Sequence, residues 1–389
     1  MKLEPFLLDQ WLNSHQFGNP PIKFDLATST GPVWTLAELL EFMDEDKRKA
    51  VFDAPLVYTD ASGSRTLREA IAAMESVDPS DVQVFTGAEE AIFITYMLAA
   101  EPGANVVVPF PCFPPFQAIP KGLGLETRSY YLRPENGFKI DPDEIASLVD
   151  ANTKLILINL PHNPTGSILD QASLQSMHDF AADRGIQFVV DQVYHPLYHN
   201  DQLREREHNP KATSASALPH ATVLGDMSKA FSLSGLRVGW VIDRDRHRAE
   251  QYCDSRCYLT VSNTPTTQII AAAAVEHRDA IFGRLRRVAT GNLTLLDKFF
   301  TRMSDVLGWV RPRGGMTAFP WLTEGGSSRP LCERLAAAGV LVAPGDCWGM
   351  PAHFRIGFGA TDAGFSESLD LLEKQVREYS VLKKSQAGS

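Results

Sequence analysis

The sequence GDMSKAFSLSGLRVG at residues 225–239 decides how the rest of the chain is interpreted. It begins where the apolar run 221–224 ends, and that run predicts a buried strand followed by Ser228 and Lys229. A lysine at the end of a buried strand is costly unless its amine has a partner or a chemical task. The amine can form an ion pair, or it can act as a nucleophile that forms a Schiff base. The cation Arg237 favours the second use, since it disfavours another charge nearby and offers a fork for phosphate.

Ser228-Lys229 followed by GLRVG at residues 235–239 closely resembles the lysine motif of fold-type I pyridoxal-phosphate (PLP) enzymes, the class I/II aminotransferases. In that family the lysine carries the cofactor. The competing interpretation is a surface Lys–Arg pair on a loop, so the remainder of the chain has to distinguish the two. The resemblance extends from about residue 25 to residue 375.

The resemblance implies an α/β fold, that of the fold-type I PLP-dependent transferases. A large domain is expected to hold a mostly parallel seven-stranded sheet, and both chain ends together form a small α/β domain. We expect residues 1–45 to form an N-terminal arm and part of the small domain, residues 46–275 the large PLP-binding domain, and residues 276–389 the C-terminal small domain.

Composition excludes several other classes of protein. The 389 residues carry a net charge of −10, which argues against nucleic acid or an anionic membrane as partner. The five cysteines show no disulfide framework, so we expect reduced thiols and a cytoplasmic location. Cys253 and Cys257 are expected to be packing residues, and no metal site is predicted. No signal peptide or membrane-spanning run is apparent.

A second motif predicts a phosphate site. Val82–Phe85 alternates like a strand, and Gly87, Ala88 and Glu89 lie between it and the apolar helix 91–99. A strand, a glycine turn and a helix start leave free backbone N–H groups at the positive end of a helix dipole. A lone glycine turn is weak, but the lysine motif independently requires such a cradle.

The next strand, Asn105–Val108, leads into a loop rich in proline and phenylalanine. An aromatic side chain there can lie flat on a pyridine ring. The resemblance places that aromatic at Phe113, with Phe110 and Phe116 as competitors that the sequence does not separate.

Two more predicted strands end in polar residues. The buried run Lys154–Asn159 precedes Asn163-Pro-Thr-Gly, a signature of the family whose amide can donate to a phenolate oxygen. The run 186–190 ends at Asp191, a buried carboxylate that requires a partner such as a pyridinium nitrogen. Tyr194 is expected to donate to the same phenolate as Asn163, whereas the simpler interpretation makes Asp191 a helix cap.

Three further assignments rest on the resemblance. Tyr58 is expected to reach the cofactor phosphate of a neighbouring subunit in a homodimer, although it can equally be a core tyrosine. Arg355, the one charge in the apolar run 354–358, resembles the residue that binds the substrate carboxylate. Its alternative is a structural salt bridge. Gly31 either lines the substrate pocket or belongs to a plain turn with Pro32.

Each motif residue follows a predicted strand; these residues are Gly87, Ala88, Phe113, Asn163, Asp191 and Lys229. In open α/β sheets ligands bind at the carboxyl ends of strands, so we expect one shared crevice. The resemblance implies an aminotransferase that moves an amino group between an L-amino acid and a 2-keto acid through a Schiff base on Lys229. Asp226 is a departure, because the family usually has Ser or Thr three residues before the lysine, where it binds the phosphate.

Other functions remain open. The segment around Trp11 and the loop 25–35 look somewhat like the capreomycidine synthases, relatives that eliminate and cyclise an arginine derivative with the same cofactor. A transcription regulator with an aminotransferase-like domain requires an added DNA-binding segment, for which there is no room before residue 25. A cofactor-free scaffold would lack the absorbance of a lysine-bound cofactor.

Overall fold

The computed structural model describes residues 2–18, 21–199, 214–361 and 363–387, with side chains to residue 383. Its α-helices, numbered α1 to α13, are Leu7–Gln16, Leu36–Glu41, Glu45–Phe52, Arg65–Glu75, Ala88–Ala99, Pro115–Leu123, Pro142–Ser147, Gln171–Ala182, Arg246–Arg256, Pro265–Glu276, Arg278–Arg302, Arg329–Ala337 and Phe365–Ala387. Its strands, numbered β1 to β14, are Phe24–Asp25, Val82–Phe85, Asn105–Phe110, Glu126–Tyr131, Thr153–Asn159, Gln187–Asp191, Ala221–Asp226, Gly239–Ile242, Leu307–Gly308, Thr317–Ala318, Trp321–Leu322, Val340–Leu341, Ala343–Pro344 and Phe354–Gly357.

A seven-stranded sheet forms the centre of the molecule, in the order β2-β8-β7-β6-β5-β3-β4. β8 runs antiparallel to both of its neighbours, and every other pair in this sheet is parallel. The predicted mostly parallel α/β sheet is therefore confirmed.

The apolar runs become strands because both faces of the sheet are covered. In β5, residues Leu155 to Ile158 are each at most 1% exposed. Such continuous apolar runs are typical of parallel strands buried on both faces. The polar residues that follow the runs therefore come to one edge of the sheet, where the parallel strands end.

Both ends of the chain meet outside the central sheet. β1 pairs in parallel with β12, with Phe24 opposite Val340. The indole N–H of Trp11 in α1 donates to the Val342 carbonyl at 2.9 Å. The apolar face of α1 thus packs against the C-terminal part of the chain. The domain boundaries after residues 45 and 275 stay predictions.

The long helix α11 follows the elements of the central sheet and leads to the C-terminal elements. Among the described helices, none combines the length and apolar composition that a bilayer crossing requires.

Candidate active site

A cavity opens at the edge of the sheet where the parallel strands β2, β3, β5, β6 and β7 end. Its lining residues are Ala88, Glu89, Ile92, Phe113, Asn159, Asn163, Asp191, Val193, Tyr194, Asp226 and Lys229. The structure therefore brings most of the motif residues together in one place, as the strand ends predicted.

Lys229 stands on a turn that the backbone holds in place after β7. The Met227 N–H donates to the Val238 carbonyl at 2.9 Å, and the Leu233 N–H donates to the Met227 carbonyl at 2.8 Å. The lysine amine donates to the Ser29 hydroxyl at 3.3 Å. The amine therefore lies at the cavity and makes one long hydrogen bond, to Ser29, which a bound ligand can replace.

Asp191 ends β6 and is 3% exposed. Its Oδ1 accepts the Val193 N–H at 3.0 Å. Burial raises the pKa of Asp191 to about 7, while the hydrogen bond from Val193 and the charge of Lys229 oppose that rise. A buried carboxylate in this condition is suited to a cationic partner, because such a partner offsets the desolvation cost.

A chain of hydrogen bonds fixes Asn163 beside Asp191. The Asn163 N–H donates to Asn159 Oδ1 at 2.7 Å, and Asn159 Nδ2 donates to the Asp191 carbonyl at 3.2 Å. Tyr194 is buried, and its hydroxyl has no hydrogen-bond partner within the described residues. Leaving a buried hydroxyl unpaired costs about 1–3 kcal/mol, so the position is suited to an oxygen of a bound ligand.

The predicted phosphate cradle forms between β2 and α5. Gly87 precedes α5 with φ of 84°, and a Cβ added there would lie 2.3 Å from the Arg237 guanidinium. Arg237 Nη1 donates to the Ser228 hydroxyl at 3.3 Å, and Nη2 lies 3.2 Å from Glu89 Oε2. A cation, a hydroxyl and a helix N-terminus thus surround one small space.

Gly87→Ala is expected to weaken cofactor binding at least ~10-fold, because the new methyl group displaces the Arg237 guanidinium. Gly103→Ala is the matched control: Gly103 has φ of 80° against 84° for Gly87, and a Cβ there meets nothing within 4 Å. Both variants should lose roughly 1 kcal/mol of stability to backbone strain. Titration of the apoprotein with PLP checks the difference, and equal affinities would contradict the assignment.

The Asp226 carboxylate accepts hydrogen bonds from two backbone N–H groups at the phosphate cradle. Its Oδ2 accepts the Ala88 N–H at 2.6 Å, and its Oδ1 accepts the Ser228 N–H. Burial and then the charge of Glu89 raise the pKa of the Asp226 carboxyl. The residue that departs from the family pattern therefore ties the start of α5 to the turn that carries Lys229.

Arg355 in β14 is 2% exposed, and burial lowers its pKa. Its Nη1 donates to Asn163 Oδ1 at 3.1 Å, and its Nη2 donates to the Ala27 carbonyl at 2.5 Å. The guanidinium lies 4.8 Å from the centre of the Trp348 ring. No salt bridge to Arg355 occurs among the described residues, which leaves its charge for a bound anion.

Of the three competing phenylalanines, Phe113 lines the cavity. Phe116 is fully buried, and Phe110 packs edge-on against Tyr131 with ring centres 5.5 Å apart. The position of Phe113 agrees with the predicted stacking role, which stays a prediction.

Two predicted residues lie away from this cavity. A Cβ at Gly31 would lie 1.9 Å from the Ser232 hydroxyl and 2.8 Å from Leu285, so Gly31 serves close packing where it stands. Ser29 of the same loop is the residue that reaches Lys229. Tyr58 is 81% exposed rather than a core residue. Contact of Gly31 with substrate and of Tyr58 with a neighbouring subunit stay predictions.

Sequence reasoning missed Asn159, Val193 and Ser29. Asn159 had a usable signal, since it is the polar residue that ends the buried run of β5. Val193 follows Asp191 by two positions and carries no chemistry that distinguishes it from a core valine. Ser29 was one of several hydroxyl residues in its loop.

Comparison with known proteins agrees with this geometry. The family model for aminotransferase class I and II matches residues 25–371. Capreomycidine synthase of Streptomyces vinaceus is 31% identical over 374 residues, which cover 95% of this chain and 93% of that protein. Arginine–pyruvate transaminase of Pseudomonas aeruginosa is 28% identical over 312 residues, or 77% of each chain. The crystal structure of the PLP-dependent cyclase OrfR superposes with a TM-score of 0.87 at 26% identity, covering 97% of this chain and 98% of that chain.

Proposed function

We propose, since this chain belongs to the class I and II aminotransferase family, that it transfers an amino group between an L-amino acid and a 2-keto acid. The family's cofactor is pyridoxal 5′-phosphate. One observation carries the proposal. The Lys229 amine, the buried Asp191 carboxylate and the unpaired Tyr194 hydroxyl line one cavity. The buried cation Arg355 lies beside it, bonded to Asn163.

The residues present fit this cofactor. Lys229 would hold its aldehyde carbon, and Asp191 would pair with its ring nitrogen. Asn163 and Tyr194 would donate to its phenolate oxygen, and the unpaired Tyr194 hydroxyl supports this assignment. The cradle of Gly87, Ala88 and the Glu89 backbone N–H, with Ser228 and Arg237, would hold its phosphate. Phe113 would cover one face of its ring. Bound there, PLP supplies an electron sink for the bonds of the substrate α-carbon.

The chain's own groups account for binding and proton transfer. Arg355 would grip the substrate α-carboxylate with its planar fork, which orients the α-hydrogen toward Lys229. The Lys229 amine would then act as general base and, in its protonated form, as general acid. Asp191 would remain ionised beside a cationic ring nitrogen, because an opposite charge lowers the pKa that burial raises.

A second candidate keeps the cofactor and changes the outcome: elimination and cyclisation of an arginine-derived amino acid. The similarity to capreomycidine synthase favours it, because it covers 95% of this chain at 31% identity. Asp226 in place of the usual Ser or Thr also separates this chain from an ordinary transaminase pattern.

The experiment that tests the proposal follows the purified, PLP-loaded protein with a panel of amino acids in deuterium oxide. We expect one or more of them to exchange the α-hydrogen, since Lys229 removes it in both candidates. Transamination then gives a 2-keto acid and needs a keto-acid acceptor, whereas cyclisation retains the nitrogen in the product. Mass spectrometry of the products separates the two. Absence of α-exchange with every amino acid would contradict both.

We also propose a homodimer in which Tyr58 acts across the interface. Residues 56–58 are exposed and largely apolar, with Leu56 at 88%. A hydrogen bond from the Thr59 N–H to the Ser262 hydroxyl, at 3.2 Å, joins this segment to the one that contains Tyr258 and Leu259. Tyr258 is 91% exposed. Contiguous exposed apolar surface of this kind is typical of a protein–protein contact.

A dimer with Tyr58 acting in trans predicts complementation between two impaired variants. Mixed dimers of Lys229→Ala and Tyr58→Ala subunits contain one site with both native residues. We expect such mixtures to recover activity at low PLP concentration, where each variant alone is impaired. Sedimentation equilibrium checks the dimer itself, and recovery without dimers, or dimers without recovery, would contradict the role of Tyr58 across the interface.

A further inference from the structure

Glu89 stands where two cavities meet. It lines the cavity that contains Lys229, and it also lines an outer groove of about 490 Å³. The walls of that groove are mostly apolar and include Phe93, Phe110 and Trp348. Glu89 is the residue that the linings of the two cavities share, so it lies between the Lys229 cavity and the groove.

Glu89 pairs with Arg237, the guanidinium that would bind the cofactor phosphate. Its Oε2 lies 3.2 Å from Arg237 Nη2, and both side chains are about half exposed, at 49% and 46%. A Cβ at Gly87 would lie 2.9 Å from Glu89 Oε2 and 2.3 Å from Arg237 Nη2, so the pair occupies the cradle. A carboxylate and a phosphate dianion repel each other, and the phosphate is the stronger partner for a guanidinium.

A second carboxylate, that of Asp9 in α1, is near enough to this site to interact electrostatically with Glu89, Lys229 and Arg355. Phe6, which directly precedes α1, packs on Phe113 with ring centres 5.8 Å apart, so the start of α1 lies beside the Lys229 cavity. Asp9 keeps contact with solvent, yet partial burial and then the charge of Glu89 raise its pKa. The positive charges of Lys229 and Arg355 lower the pKa of Asp9 and partly offset that rise.

We propose that Glu89, assisted by Asp9, binds the positively charged end of a long substrate side chain, and that the cofactor phosphate frees Glu89 for this task by taking its place at Arg237. The proposal rests on the function proposed above, because it places the substrate α-carboxylate at Arg355. Apolar side chains where the two cavities adjoin, such as Ile92 and Phe93, then cover the methylene stem, as such surfaces do for lysine and arginine side chains, and the carboxylates meet the cation. The substrate class is a basic amino acid such as arginine or a guanidino derivative.

The test compares arginine with citrulline, which has nearly the same shape and no charge. Their dissociation constants for the PLP-loaded protein are measured by absorbance titration in wild type, Glu89→Gln, Asp9→Asn and the control Glu101→Gln. Glu101 lies on the surface just beyond the opposite end of α5 and pairs with Lys154 at 2.6 Å. Wild type and control should prefer arginine by at least ~10-fold. Glu89→Gln should bring the ratio close to one, and Asp9→Asn should lower it by a smaller factor.

The exchange at Arg237 has a separate readout in the apoprotein. Glu89→Gln should bind PLP as tightly as wild type or several-fold more tightly, because a competitor for Arg237 is removed. Weaker PLP binding by Glu89→Gln would overturn the exchange, and an unchanged arginine-to-citrulline ratio would overturn the assignment of Glu89. If amino acids perturb the absorbance but the ratio does not respond, this inference fails alone. If no amino acid does so, the proposed function fails with it.

Discussion

Lys229→Ala is expected to reduce turnover of every substrate by more than ~10³-fold, because no other group replaces a positioned amine that is both nucleophile and base. The amine lies in the cavity with Ser29 as its hydrogen-bond partner at 3.3 Å. The absorbance of the lysine-bound cofactor should disappear in the variant. Steady-state kinetics and an absorbance spectrum check both expectations.

Lys139→Ala is the control for that variant, because Lys139 is exposed and is not among the residues that line the cavity. It should keep wild-type turnover and spectrum. Circular dichroism should show that both variants are folded. Turnover of Lys229→Ala within a few-fold of wild type would show that another residue carries the chemistry.

Asp191→Asn is expected to lower turnover by roughly 10²-fold or more, because a neutral amide no longer stabilises a proton on the ring nitrogen. The amide has nearly the shape of the carboxylate, so the cavity should keep its form. Asp191→Glu should recover part of the activity, since it restores the charge. Full activity of Asp191→Asn would contradict the pairing with the ring nitrogen.

Asp191 also predicts a pH dependence of stability that needs no turnover. The pKa of its carboxyl in the folded, cofactor-free protein is about 7, above its ordinary value of 3.8. The folded state therefore holds this proton more tightly than the unfolded state does. The resulting stabilisation is fully present below pH 3.8 and is lost as the pH rises through about 7.

As the pH rises from 3.8 to about 7, the free energy of unfolding of the wild-type apoprotein should therefore fall by roughly 2–4 kcal/mol relative to that of Asp191→Asn. Chemical denaturation at pH 5 and pH 8 measures the difference, with Asp183→Asn as an exposed control that should follow wild type. PLP should reduce the effect, because a cationic ring nitrogen favours the ionised carboxylate. Parallel pH profiles for wild type and Asp191→Asn would contradict the burial argument.

The central sheet was predictable because its strands are long, apolar and followed by distinctive turns. The run of β5 up to Asn159 and the Asn163 turn after it define one strand end without further information. The lysine turn defines another, and the rule that ligands bind at the carboxyl ends of parallel strands then brings the residues together. The two-residue strand Phe24–Asp25 outside the central sheet is too short to show a period and was not predicted.

Side-chain partners were less predictable than positions. The pairing of Glu89 with Arg237 and the hydrogen bond from the Ala88 N–H to Asp226 join residues that are more than a hundred positions apart. Which partner such groups choose depends on rotamers and packing, and no local pattern encodes these. Gly31 illustrates the same limit: the loop was recognised, but the residue that reaches Lys229 is Ser29.

The central claim is that the Lys229 amine holds the cofactor. Borohydride reduction of the PLP-loaded protein, followed by peptide mass spectrometry, tests it directly. We predict a phosphopyridoxyl group on Lys229 and its absence from that peptide in Lys229→Ala. A phosphopyridoxyl group on a different lysine of the wild-type protein, or none at all, would contradict the account.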